Sequence, residues 1–383
     1  MCRSIEKVVK KKLCLQCGMC YSVCPVNAIS LDVIKDGYPI VNSQKCTKCE
    51  ACLKVCSGMF PDYYSVSSRS KLGEIRSSYV GYSNNSGVRQ KAASGGIATS
   101  ISSYLLSSGE VDAMILVRGD KKYPLRNEII FAQNEADVLS AMGSRYAPAF
   151  VCSKFKEIDT EKRYGLIGKP CDIYAVKKLG RFKKEYENAI KYTIGIFCHH
   201  TPPYSATDQI IHSLSIREDY ISGIQYRGDG WPGDFAVFDK NGKTIFRDKY
   251  LKIWNKYLSI TNNRCGFCCD CTAEHADISL GDPWLKKYEN FGVGQNLIVT
   301  RTLKGDDLIN KMISQKQITS VLISKAEVIA SQKYLLQKKQ WVAYRIIKSK
   351  MIGKSVPEVS VNIFTLFKAA CHIFNKLSLA LCL

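Results

Sequence analysis

At 383 residues the chain is long enough for two or three domains and a substantial core, and its 46% hydrophobic content excludes a disordered protein. Eighteen cysteines are far from an ordinary composition, and a chain this long with no apolar run after Met1-Cys2-Arg3-Ser4 does not read as a small secreted disulfide scaffold. The formal charge of +21 has no helix-turn-helix, RNP-like or zinc-finger pattern beside it, so no nucleic acid is expected; an acidic protein partner or an anionic membrane face accounts for the charge as well. A reducing cytoplasmic setting with thiols as ligands is the expected context.

The first 60 residues form a cysteine-rich module. One set reads Cys14-x-x-Cys17-x-x-Cys20-x-x-x-Cys24-Pro25, and the second reads Cys46-x-x-Cys49-x-x-Cys52-x-x-x-Cys56. This is the known run of bacterial ferredoxins, in which the fourth cysteine of each set reaches the other cluster. Cys14, Cys17, Cys20 and Cys56 are therefore expected around one 4Fe-4S cluster, and Cys46, Cys49, Cys52 and Cys24 around a second. Two zinc sites or a disulfide knot are the rivals, but zinc ribbons rarely use a triple run, and a reducing compartment disfavours disulfides. Ser57 stands where a second proline is usual, which leaves the ligands intact.

Residues 61–76 are polar and Ser-rich and read as a linker. From 77 to 330 strands and helices alternate. A helix is expected over 97–106, a buried strand over 111–117, a strand over 164–168 followed by a helix over 172–179, and a strand over 192–198. Asn241-Gly242 between alternating apolar residues predicts a hairpin over 234–247, and 296–300 predicts a further strand. Beyond about residue 302 the chain is expected to be helical and basic, with 331–383 as a tail of net charge +8. Ile363, Leu366, Phe367, Ala370, Phe374 and Leu377 recur at helical spacing there. They suit a helix packed on the core or another subunit, or an interfacial helix on an anionic membrane face. The expected fold class is α+β: a dicluster ferredoxin fold, a mixed α/β core and a helical basic tail.

Ser94-Gly95-Gly96 opening a helix, Gly168-Lys169-Pro170-Cys171, Gly195-Ile196-Phe197-Cys198-His199-His200-Thr201-Pro202, and Arg264-Cys265-x-x-Cys268 with Ala276-Asp277-Ile278-Ser279-Leu280-Gly281-Asp282 occur in that order. Over roughly residues 10 to 300 the chain thereby resembles the family of coenzyme F-420 hydrogenase/dehydrogenase beta subunits with an N-terminal dicluster ferredoxin extension. The resemblance implies FAD and a third 4Fe-4S cluster on Cys171, Cys198, Cys265 and Cys268. It also places Ser94, Gly95, Gly96, Lys169, Arg145 and Tyr146 near the flavin. Lys169 and Asp172 replace the threonine and glutamine usual around the proline–cysteine pair, His200 replaces a glycine, and Cys269 and Cys271 add two thiols.

Singly, Cys171 and Cys198 also fit simple buried residues, and Ser94-Gly95-Gly96 fits a helix cap. His199 and His200 suit proton donation at the cofactor or plain loop packing. The expected activity is an iron–sulfur flavoprotein oxidoreductase that takes electrons from a ferredoxin or other redox protein and passes a hydride to an organic acceptor. The alternatives are an electron-transfer subunit of a larger hydrogenase or dehydrogenase and, on charge alone, a zinc protein binding nucleic acid.

Overall fold

The computed structural model describes residues 4–35, 37–59, 72–257, 259–288 and 292–358. A short helix, Ile5–Lys10, buries Ile5 and Val8 against the antiparallel ribbon of β1 (Ile29–Leu31) and β2 (Pro39–Val41). The two cysteine loops have matching backbones. Gln16 and Gly18 in the first are left-handed (φ 56° and 86°), as are Lys48 and Glu50 in the second (both φ 59°). Each loop then enters a four-residue helix, Met19–Ser22 or Ala51–Lys54, that carries its third cysteine. Equal spacing has produced equal turns.

Of the expected linker, residues 61–71 lie outside the described residues. Leu72 is buried and packs with Val80, Leu297 and Val299.

The core is built on β3 (Ser77–Ser83), β4 (Ala113–Gly119), β5 (Asn127–Ala132), β6 (Tyr164–Gly168), β7 (Ile190–Ile196), β11 (Ile278–Gly281), β12 (Asn296–Thr300) and β13 (Ile318–Leu322). These strands form one sheet in the order β13-β3-β12-β11-β7-β6-β4-β5. Its centre, β11-β7-β6-β4, is parallel, and the flanking pairs are antiparallel. Strand alternation divides the core between two faces. Ala113 and Ile115 pack with helix Pro170–Gly180, while Met114 and Leu116 pack with helices Ile97–Ser107 and Leu303–Ser314. The remaining strands, β8 (Ile221–Gly228), β9 (Asp234–Asp239) and β10 (Thr244–Lys249), make a separate antiparallel sheet whose β9–β10 hairpin turns at Asn241-Gly242.

The chain beyond Thr302 is not wholly helical as expected: β13 is a strand pairing with β3 at the sheet edge. Val321 and Leu322 there are 67% exposed, so its pattern carries little of the alternation that marks a half-buried strand. Helices Lys333–Gln340 and Val342–Met351 follow. The expected apolar face from Ile363 to Leu377 lies outside the described residues. Among the described residues no helix is long and apolar enough to cross a membrane.

Candidate functional site

The cysteine module is locked to the core on its first-loop side. Ser22 Oγ donates to the carbonyls of Cys152 (2.7 Å) and Ser153 (2.9 Å), and Asn262 Nδ2 donates to Cys14 O (2.9 Å). Lys178 Nζ reaches Cys56 O at 3.3 Å, and Arg264 Nε reaches Gly58 O at 2.6 Å. Gly37, at φ 65°, lies so close to the core that a Cβ there would stand 1.8 Å from the Phe150 ring. Such a contact admits no side chain.

Cys14, Cys17, Cys20 and Cys56 line one small cavity, together with Ile5, Met19, Val55 and Phe150. Cys24, Cys46, Cys49 and Cys52 line another. The exchange of the fourth cysteine is thus present in the geometry: Cys56 stands with the first loop and Cys24 with the second. Backbone amides point at sulfur as a cluster site requires, Gln16 N to Cys14 Sγ at 3.4 Å and Ala28 N to Cys24 Sγ at 3.2 Å. Burial pushes the Cys56 thiol up to about 11, so metal binding here must displace protons. Both cavities fit a cubane held by four thiolates. The first is buried against the core; at the second, Cys49 is exposed.

The four core cysteines are only partly gathered. Cys198 feels Cys265 most strongly among its neighbours and also Cys268, while Cys171 feels both Cys198 and Cys17. Cys171 therefore lies within electrostatic reach of the first loop. Burial raises Cys198 to about 12. Cys268 instead falls to about 6, because the Cys271 thiol donates to its sulfur. Cys269 and Cys271 are both buried, and Cys198 N donates to Cys271 O at 3.0 Å. Among the described residues, no three His, Cys, Asp or Glu side chains are set tightly enough to hold a single metal ion.

A cavity of about 440 Å³ opens where the parallel strands end. Lys169 follows β6, Phe197 to His200 follow β7, and Asp282 follows β11; all line it. The carboxyl edge of a parallel sheet is the usual place for ligands in such folds, and the volume suits a cofactor-sized molecule. Ser94, Gly96, Arg145, Tyr146, His199 and His200 also line it. Gly95 does not: a Cβ there would stand 2.7 Å from Gly81 O and from Asn296 N, so its lack of a side chain serves the approach to β3 and β12.

Lys169 caps helix Pro170–Gly180, and its ammonium pairs with the fully buried Asp172 at 2.8 Å. Burial alone would lower Lys169, but Asp172 and neighbouring sulfur outweigh it and raise it. Arg145 donates to Asn127 Oδ1 (2.7 Å), Ile224 O (2.8 Å) and Arg126 O (3.3 Å), leaving a positive charge at the wall with neutral partners. His199 and His200 share an Nδ1···Nδ1 contact of 2.8 Å, and His200 stacks on Trp254 at 5.6 Å. Burial first, then neighbouring cations, holds both imidazoles at about 4. A negative cluster on Cys198 would raise them again.

Several cavity residues were not singled out from sequence as site residues. Tyr250 and Trp254 join Tyr146 in an aromatic wall, with Tyr146 4.5 Å from Trp254 and 5.6 Å from Tyr250. Arg227 clamps Asp282 through two bonds of 2.7 and 3.1 Å, and Trp231 Nε1 adds a third at 2.9 Å. Gln332 Nε2 donates to Asp282 O at 2.7 Å. Asp282 closes a motif read from the sequence; Tyr250, Trp254 and Gln332 come from distant segments with no local signature.

Three descriptions match the chain: the N-terminal part of coenzyme F420 hydrogenase/dehydrogenase beta subunit over residues 78–155, its C terminus over 161–326, and a 4Fe-4S dicluster domain over 13–57. The chain is 26% identical to the beta subunit of coenzyme F420 hydrogenase from Methanococcus voltae over 75% of its length and 99% of the relative. It is 24% identical to a subunit of the F(420)H(2) dehydrogenase of Methanosarcina mazei over 82% of its length and 92% of that protein. A chain of the F420-reducing [NiFe] hydrogenase complex from Methanosarcina barkeri shares the fold with a TM-score of 0.57 and 23% identity, over 72% of this chain and 93% of that one. With both halves of the family's pattern and its cysteine run in place, the chain belongs to the family of coenzyme F420 hydrogenase/dehydrogenase beta subunits and carries a 4Fe-4S dicluster domain.

Proposed function

We propose that this chain is the electron-transfer subunit of a larger oxidoreductase, accepting single electrons from a ferredoxin or other redox protein. The supporting observation is the placement of two four-cysteine cavities, one with an exposed cysteine and one buried against the core, where Cys171 lies within electrostatic reach of Cys17. The named relatives are subunits of hydrogenases and dehydrogenases, which favours this over a self-sufficient enzyme. Clusters bound at the cysteines would supply one-electron chemistry, and a flavin in the strand-end cavity would supply paired-electron chemistry. The chain's own contribution is placement. The cysteines fix the metal, the aromatic wall of Tyr146, Tyr250 and Trp254 offers a stacking surface, and Arg145 and Lys169 offer cations to an anionic cofactor.

Replacing Cys49 by serine tests the outer position. Iron should fall by about four atoms per chain, since each cubane holds four. Reduction by a protein donor should slow at least tenfold, while reduction by dithionite persists. Unchanged reduction by the protein donor would place electron entry elsewhere.

The size of the cavity favours a second reading, in which FAD bound there serves an organic hydride acceptor within this chain. Turnover of such an acceptor by the isolated chain with an artificial donor would establish it. Turnover only after a partner subunit is added supports the electron-transfer role.

A further inference from the structure

Arg264 is 1% exposed and stands on the short turn Asn263–Phe267, one residue before Cys265. Its Nε donates to Gly58 O at 2.6 Å, two residues past Cys56, while its Nη1 has no partner. Among the described residues no carboxylate forms an ion pair with it. A buried guanidinium without a counterion is unfavourable unless negative charge is supplied nearby. The groups that feel its charge are sulfurs: Cys265, Cys268 and Cys269. The same segment touches the first loop again, through Asn262 Nδ2 to Cys14 O at 2.9 Å and Asn262 Nδ2 to Gln16 Oε1 at 3.4 Å. Phe267 packs against the cluster of apolar residues containing Cys14, Cys20 and Cys56, and also against the one containing Cys269.

We infer that Arg264 is a positioning residue whose charge is balanced by metal clusters on both sides of it, and that it raises the reduction potentials of the first-loop cluster and the core cluster together. This rests on the proposed function. A cubane on four thiolates is already negative, and reduction adds one electron and no compensating proton. A fixed cation beside it therefore stabilises the reduced form more than the oxidised one. The cation lining the second-loop cavity, Lys48, is exposed and screened by solvent, so the second-loop cluster serves as an internal reference. Raising the two inner sites relative to the outer one would favour inward electron flow.

The experiment is an anaerobic potentiometric titration of the full chain with dithionite, followed by electron paramagnetic resonance, on wild type, R264Q and R264K. In R264Q the reduced-to-oxidised ratio at fixed potential should fall about tenfold for the two inner clusters, equal to a shift of about 59 mV for a one-electron couple. The outer cluster should not move. R264K keeps the charge and should stay within about threefold of wild type. Inner midpoints unchanged in R264Q, or an equal shift of all three, would overturn the inference. If R264Q does not retain its iron, R264K decides alone: inner midpoints displaced tenfold would show that hydrogen-bond geometry, not charge, matters. Wild-type protein without iron would instead remove the function on which the inference stands.

Discussion

Asp282→Asn should destabilise the fold strongly at neutral pH. Arg227 is 4% exposed, and its guanidinium spends two bonds on Asp282, at 2.7 and 3.1 Å, and one on Pro232 O, at 2.6 Å. Removing one member of a buried pair typically costs about 3–5 kcal/mol, because the other charge stays behind. The faces of Tyr250 (5.2 Å) and Trp284 (5.8 Å) from the guanidinium carbon return some of this, about 1 kcal/mol. The expected net loss is therefore roughly 2–4 kcal/mol. Urea unfolding read by tryptophan fluorescence suits the site, since Trp231 and Trp284 lie 5.1 Å apart beside it.

Burial pushes the Asp282 carboxyl up, but Arg227, Trp231 and Ser94 outweigh burial and hold it below the usual range. A carboxyl lowered in the folded state contributes stability above its unfolded pKa of about 3.9 and loses it as pH falls through the folded value. The gap between wild type and D282N should accordingly be flat from pH 7 to about 5 and close below about 4. The double variant R227M/D282L, which removes both charges, should lose less than the sum of the two single changes. A gap under about 1 kcal/mol at pH 7, or one that persists unchanged at pH 3, would refute the buried-pair account.

Gly37→Ala should loosen the cysteine module from the core, since φ 65° and the 1.8 Å approach to Phe150 both oppose a side chain; a loss above about 1 kcal/mol in thermal unfolding is expected, and none would mean that the contact yields easily. Trp254→Ala should weaken flavin binding about tenfold if the aromatic wall is the stacking surface, as fluorescence titration with FAD would read; unchanged affinity would move the flavin elsewhere. Cys271→Ala should raise the Cys268 thiol from about 6, seen as slower alkylation of the metal-free protein near pH 7; an unchanged rate would mean the sulfur contact is not made in solution.

Much of this fold was legible because apolar runs are bounded by chain-breaking residues. β6 and β12 fall on 164–168 and 296–300 as the sequence suggests, and Asn241-Gly242 turns the β9–β10 hairpin. β13 escaped because it is a solvent-facing edge strand, and β11 because its Ile278-Ser279-Leu280-Gly281 is noticeable as a motif before it is noticeable as four residues of strand. The cysteines lining the two small cavities could be written down residue by residue, since their spacing lies within about forty positions. The large cavity could be written down only in part: Ser94, Gly96, Arg145, Tyr146, Lys169, His199 and His200 were named, whereas Tyr250, Trp254 and Gln332 are brought to the same wall only by the folded sheet, and no periodicity announces a contact of that range.

Iron, acid-labile sulfide and flavin counted together on protein purified under strict oxygen exclusion test the central claim, that the cysteines hold cubanes serving a flavin. About twelve irons with matching sulfide and about one flavin per chain are expected from three cubanes and one cavity. Colourless protein with zinc in place of iron, from iron-replete cells, would contradict it.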